Sequence, residues 1–145
     1  MLIIGSDHAG FELKESIVEY LRSEKIEVED IGTKSPESVD YPDFGFKVAE
    51  SVAEGRFERG ILVCGSGVGM SIVANKVPGI RAALCMNTDQ AKLCRQHNDA
   101  NILVLAGRMT DPDTAKDMVK LWLNAGFEGG RHSRRLDKIH NLTNL

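Results

Sequence analysis

Ile61-Leu62-Val63-Cys64-Gly65-Ser66-Gly67-Val68-Gly69-Met70 decides the fold. An apolar run this short, ended by a turn signal, reads as a strand buried on both faces. Its break into glycines at alternate positions, followed by a helical stretch, is the strand-to-helix corner of a parallel sheet. The same alternation extends in both directions. Further strands are read at Leu2–Ser6, Val28–Ile31, Ala82–Cys85 and Ile102–Ala106, with the quoted run supplying Gly60–Cys64. Helices are read at Phe11–Ser23, where Leu13, Ile17, Val18 and Leu21 form one apolar stripe, and at Tyr41–Glu54, Val68–Asn75, Asp89–Gln96 and Pro112–Asn124. Thr110-Asp111-Pro112 is a helix start, because proline in the first turn forfeits no hydrogen bond. The expectation is an α/β fold: a Rossmann-like three-layer α/β/α sandwich on a five-stranded parallel sheet, one domain over residues 1–145.

Composition narrows the function. Hydrophobic residues make 42% of the chain and charged residues 27%, the balance of a globular protein, and no apolar run approaches the ~20 residues of a membrane-spanning helix. The N-terminus has no secretion signal, so the chain is expected in the cytoplasm, without membrane association. Cys64, Cys85 and Cys94 show no CxxC spacing, and the four histidines never fall at i, i+4, so neither a disulfide framework nor a metal is expected. Residues 131–145 carry four cations against one aspartate, +3 within a chain of net charge −3, which leaves −6 elsewhere. An acidic body with one small basic end argues against nucleic acid and suits a compact anion such as a phosphate monoester; a solvated basic helix is the plainer alternative.

In doubly wound sheets ligands sit beyond the carboxyl ends of the strands. Asp7-His8, Gly65–Gly69, Met86–Thr88 and Gly107-Arg108 are therefore the positions of interest. The Gly65-Ser66-Gly67-Val68-Gly69 turn can present backbone N–H groups to an anion. Met70 stands where a dinucleotide fingerprint needs its third glycine, and no Gly-Lys-Ser/Thr ending follows, so both nucleotide readings are weak. Cys64 ends the strand directly before this turn, where a thiol can serve as base or nucleophile; an inert core thiol is equally compatible with the position. A cysteine-phosphatase loop is excluded, since the required arginine is replaced by Met70. Asp7 is either a site residue facing Cys64 or a helix cap, and His97 is either catalytic or a dipole-stabilising cation at a helix end. Arg131 and Arg135, four apart, share a face if their segment is helical and could clamp a phosphate. Cys85 and Cys94 read as structural, and Met70, Met86 and Met109 as packing residues near the site mouth.

Taken in order, Gly5-Ser6-Asp7-His8-Ala9-Gly10-Phe11, Asp40-Tyr41-Pro42, Cys64-Gly65-Ser66-Gly67-Val68-Gly69, Asn75-Lys76, Arg95-Gln96-His97-Asn98 and Gly129-Gly130-Arg131-His132 resemble the type B ribose-5-phosphate isomerases, a family that includes galactose-6-phosphate isomerase subunits. The resemblance implies interconversion of ribose 5-phosphate and ribulose 5-phosphate through an enediolate, in the non-oxidative pentose phosphate pathway and without a cofactor. It implies Cys64 as the proton-transferring base, Ser66 as its supporting hydroxyl, and His97 as the group that opens the furanose ring. By the same resemblance Asp7, His8, Tyr41, Gly65, Ser66, Gly67, Val68, Gly69, Asn98 and Arg108 bind substrate, and Arg131 and Arg135 hold the phosphate. It further implies a homodimer or tetramer with the site between subunits. Isomerisation of allose or galactose 6-phosphate is the alternative within the reaction class, although Gly129-Gly130-Arg131-His132 favours the ribose branch. A non-catalytic sugar-phosphate-binding module and a thiol hydrolase are the alternatives outside it.

Overall fold

The computed structural model describes all residues, Met1–Leu145. In chain order it contains β1 (Leu2–Ser6), α1 (Phe11–Ser23), β2 (Val28–Asp30), α2 (Tyr41–Ala53), β3 (Arg59–Cys64), α3 (Val68–Ala74), β4 (Ala82–Leu84), α4 (Thr88–Gln96), β5 (Ile102–Ala106), α5 (Pro112–Asn124) and α6 (Arg131–Thr143). The strands form one parallel sheet in the order β2-β1-β3-β5-β4. β2 and β4 each end one residue before the expected Ile31 and Cys85. The expected ends of α2 and α3 also shorten by one residue, because Glu54 and Asn75 are caps whose N–H groups close the last turns. The basic C-terminal segment is a sixth helix.

Period-2 alternation along the central strands splits the core. Ile4, Ile61, Val63, Leu103 and Leu105 pack with α1, α4 and α5 in one cluster, around the fully buried Trp122. Ile3, Leu62, Cys64, Ile102 and Val104 face the other way, onto Val48, Ala49 and Val52 of α2 and Met70 and Ala74 of α3. Helices thus cover both faces, which is what continuous apolar strands require. Lys14, fully buried on α1, donates to Asp30 Oδ2 and Glu15 Oε1, each at 2.7 Å, and so ties the first helix to β2.

From β1 the chain winds one way through α1, and from β3 the other way through α3, on the opposite face of the sheet. The reversal falls between neighbouring β1 and β3, so a crevice opens beyond their carboxyl ends. The tight seat of α1 keeps it open: a Cβ on Gly10 would meet the carbonyl carbon of Val63 at 2.6 Å and its side chain at 2.8 Å. Gly10→Ala should lower stability by about 1–3 kcal/mol through this overpacking, read as a fall in the urea midpoint. Gly126→Ala, where nothing lies within 4 Å of the added carbon, should leave the midpoint within error or raise it slightly.

Candidate active site

Asp7, His8, Ala9, Tyr41, Cys64, Gly65, Ser66, Gly69, Arg108 and Met109 line a cleft of about 440 Å³ at this switch point. Its walls are the three turns that follow β1, β3 and β5, and backbone hydrogen bonds lace them together. Asp7 N–H donates to Val63 O at 3.2 Å, Gly107 N–H to Cys64 O at 2.7 Å, and Arg108 N–H to Gly65 O at 3.0 Å. Cys64, 5% exposed, is therefore fixed from both sides at the cleft floor.

The turn after Cys64 depends on two glycines. Gly67 takes φ +78°, a left-handed conformation costly for any residue with a Cβ, and it caps the start of α3. A Cβ on Gly69 would stand 2.5 Å from the Tyr41 ring, so its absence lets that ring close over the turn. The N–H groups of Gly65, Ser66 and Gly67 donate to no other backbone or side-chain group in the chain, which leaves them available to an oxyanion. Asp7 lines the cleft, and it is not the cap of α1, which is Gly10 without a side-chain cap; its Oδ1 instead accepts from Gly10 N–H at 2.9 Å and so holds the turn before the helix. His8 Nδ1 accepts from Val39 N–H at 3.2 Å. The ring proton of a neutral His8 must then sit on Nε2, which makes that nitrogen a donor. Met109 is 65% exposed at the rim and Met86 38%, whereas Met70 is wholly buried, so of the three methionines only Met70 is a true packing residue.

Gly67 is buried and Val68 half-exposed, and neither lines the cleft. His97, Asn98, Arg131 and Arg135 are not in the cleft at all. α4 begins beyond the carboxyl end of β4 and runs back to the amino end of β5, so His97, its C-terminal cap, lies at the opposite edge of the sheet from Cys64. A five-residue parallel strand spans about 16 Å, so one chain cannot bring its own thiol and this histidine together. Asn98 borders a second depression of about 400 Å³ with Arg81, Leu136 and His140, and Arg81 Nε donates to Asn98 O at 3.0 Å. Arg131 and Arg135 are exposed on the first turns of α6, at the same edge as His97.

Sequence spacing missed two clusters here. His97 and His132 stack with ring centroids 4.3 Å apart and planes 13° from parallel, and Glu128 Oε1 lies 3.5 Å from Nε2 of each. These residues come from α4 and from the segment entering α6, so no local pattern joins them. Cys85 and Cys94, both buried, approach to 3.9 Å between sulfurs. The hydrogen bond between them raises the Cys85 thiol and lowers that of Cys94. Burial, then the neighbouring His97 and Arg131, push the His132 imidazole below its ordinary 6.5, against the raising effect of Glu128. A histidine depressed in the folded state takes its proton first when unfolded, so it removes stability as pH falls below 6.5 and contributes nothing above it. His132→Gln should flatten that acid limb of the stability curve, as measured by thermal midpoints between pH 8 and pH 5.

Known proteins share this arrangement over nearly the whole chain. The ribose-5-phosphate isomerase B structure from Clostridium thermocellum superposes with a TM-score of 0.97 at 54% identity, covering 99% of this chain and 98% of that one. That of Mycoplasma genitalium, solved with bound ribulose 5-phosphate, does so at 0.94 and 43%, covering 99% and 95%. Ribose-5-phosphate isomerase B of Escherichia coli is 48% identical over 95% of this chain and 93% of its own. Residues 2–139 match Ribose/Galactose Isomerase as a family, and with that match, these identities and the shared fold, the chain belongs to the ribose/galactose isomerase family.

Proposed function

We propose that the chain interconverts ribose 5-phosphate and ribulose 5-phosphate, with Cys64 as the base and with a second copy of the chain completing each site. The observation that carries this reading is the placement of Cys64 at the floor of the switch-point cleft, beside a turn whose N–H groups are free. Aldose–ketose isomerisation needs one base to lift the proton from C2 of the opened aldose and return it to C1, while the charge on the oxygens is held between the two transfers. Cys64 Sγ is the acceptor and then the donor of that proton. The Gly65–Gly67 N–H groups receive the developing enediolate, for which such donors contribute about 3 kcal/mol each. Ser66 Oγ, exposed beside Cys64, supports the thiolate, and His8 and Arg108 supply donors to the outer end of the substrate. The relatives' activity on a pentose phosphate supports the choice of substrate.

Ring opening falls to His97, and phosphate binding to Arg131 and Arg135, from the far edge of a second protomer. A two-fold axis perpendicular to the strands reverses their direction, so it sets the amino edge of one sheet beside the carboxyl edge of its partner. The β4 side of the molecule suits that contact. β4 is a three-residue edge strand that is only half-buried, flanked by exposed Val68, Ile72 and Ile139.

Complementation tests this directly. Cys64→Ala and His97→Asn should each be inactive on ribose 5-phosphate, yet after mixing and subunit exchange a two-fold dimer should regain about a quarter of wild-type turnover, since half the dimers carry one intact site of two. No recovery despite proven exchange would place thiol and histidine in the same subunit's site. Arg131→Ala should lower kcat/KM by tens of fold on ribose 5-phosphate, because one of the two arginines' charge-assisted interactions, of about 1.5–3 kcal/mol, is lost. Arg134→Ala, on another face of α6, should change it little. Equal damage from the two would reduce the basic end to a solvated helix.

A further inference from the structure

Glu128 belongs to none of the positions assigned above, yet it is held where it matters most for His97. Its backbone N–H donates to Gln96 O at 3.0 Å, which anchors the loop before α6 to the end of α4. Its side chain then reaches both imidazoles through one oxygen, 3.5 Å from each Nε2. His132 is 7% exposed, and its Nε2 makes no hydrogen bond within the chain, the 3.5 Å approach of Glu128 being a charge contact rather than a hydrogen bond. A buried nitrogen left unpaired is costly, and the Glu128 carboxylate at 3.5 Å is near enough to receive it after a small side-chain shift. The ligand atoms of His97, Glu128 and His132 lie within 4.8 Å of one another, but with the two rings stacked 13° from parallel their in-plane lone pairs do not point at one centre, as metal ligation requires.

We propose that Glu128 is a positioning residue for ring opening: its carboxylate, shared by His97 and His132, fixes the His97 ring with the proton on Nε2 and leaves Nδ1 as the unprotonated nitrogen that faces substrate. This rests on the reading of His97 as the ring-opening group. A carboxylate only accepts, so an imidazole that meets it does so through an N–H, and the other nitrogen keeps its lone pair. Nδ1 then takes the proton from the anomeric hydroxyl. The O1 electron pair forms the C1–O1 double bond, the C1–O4 bond breaks with its electrons on O4, and O4 receives the proton that the imidazolium gives back. During the step His97 is a cation beside the Glu128 carboxylate. His132, kept neutral by burial and by its cationic neighbours, places no second charge against the stacked ring. The arrangement is the carboxylate–histidine pairing in which a second residue sets tautomer and orientation for the first.

Ribulose 5-phosphate supplies the test, because its C5 oxygen carries the phosphate and it has no furanose to open. Glu128→Gln is assayed for turnover of ribose 5-phosphate and for deuterium wash-in from solvent at C1 of ribulose 5-phosphate, which reports enolisation alone. The expected result is a 10–100-fold loss of kcat on ribose 5-phosphate, on the order seen when such supporting partners are removed, with KM and the wash-in rate little changed. Retained wash-in also shows that the variant is folded and assembled. Glu128→Asp, which keeps the carboxylate, should recover part of the loss. Equal losses in both assays, no loss in either, or no recovery with Asp would overturn the proposal. His97→Asn is measured alongside. A selective loss there without one in Glu128→Gln refutes the positioning role alone, whereas an unselective loss in His97→Asn removes the reading beneath it and the proposal with it.

Discussion

Parallel pairing of β1, β3 and β5 is the constraint from which the rest follows. In a parallel sheet every connection must return across the whole sheet before the next strand begins. All strands therefore deliver their last residues to one edge, and all returning helices deliver theirs to the other. The register sets Ser6 beside Val63 and Cys64 beside Ala106, so three turns end nearly flush and can be laced by backbone hydrogen bonds. Cys64 owes its fixed place to that ladder. His97 owes its separation from Cys64 to the same ladder, since it caps a returning helix.

Core and chemistry use different parts of each element. Strand interiors alternate between two apolar clusters, and apart from Tyr41 at the start of α2 the polar residues of the cleft lie one or two positions past the strand ends, where the ladder no longer demands an apolar side chain. Cys64 is the one residue that does both. It packs with Leu62, Met70 and Val104 as a small apolar side chain and presents its sulfur to the cleft. This is why its position in the sequence is equally readable as inert or reactive: the deciding fact is the neighbouring turn and the cleft it borders, both of which are tertiary.

Where sequence was informative, a short-range physical rule was at work. Apolar alternation and the glycine-rich corner gave the order and nature of the elements, with boundaries displaced by one residue where a cap reads as part of the helix. Asp7, His8, Cys64, Ser66 and Arg108 were legible because each lies within a few residues of a strand's carboxyl end, and a doubly wound sheet gathers those ends at one place. Asn98 carries no such positional signal and is read only through resemblance, whereas Arg131 and Arg135 are picked out by their four-residue spacing in the one basic segment; the place of all three at the far edge follows from helix direction, which spacing alone does not translate into distance. The stacked His97–His132 pair and the Cys85–Cys94 contact were not legible. Their members are 35 and 9 residues apart, and what joins them is the packing of the end of α4 against the first turn of α6 and of α4 against the residue that follows β4.

Buried polar atoms point to the same two places. Folded proteins leave few such atoms without partners, because each costs about 1–3 kcal/mol. Asp7, Lys14 and Ser51 satisfy the rule through Gly10 N–H, Asp30 with Glu15, and Lys47 O. The exceptions within the chain are Ser6 Oγ, Thr110 Oγ1, Arg95 Nε and His132 Nε2. Ser6 immediately precedes the cleft residue Asp7, and Thr110 follows Met109 at the cleft rim, so both lie behind the thiol's edge of the sheet. Arg95 and His132 lie behind the histidine's edge, where Arg95 is held by Ala100 O and Asp99 through another nitrogen. Polar groups with unused hydrogen-bonding capacity thus gather at the two ends of the strands and nowhere in the middle of the sheet. That distribution follows from the parallel ladder: inside the strands every buried side chain is apolar, and buried polar side chains are left unpaired only where the strands give way to turns and helix ends.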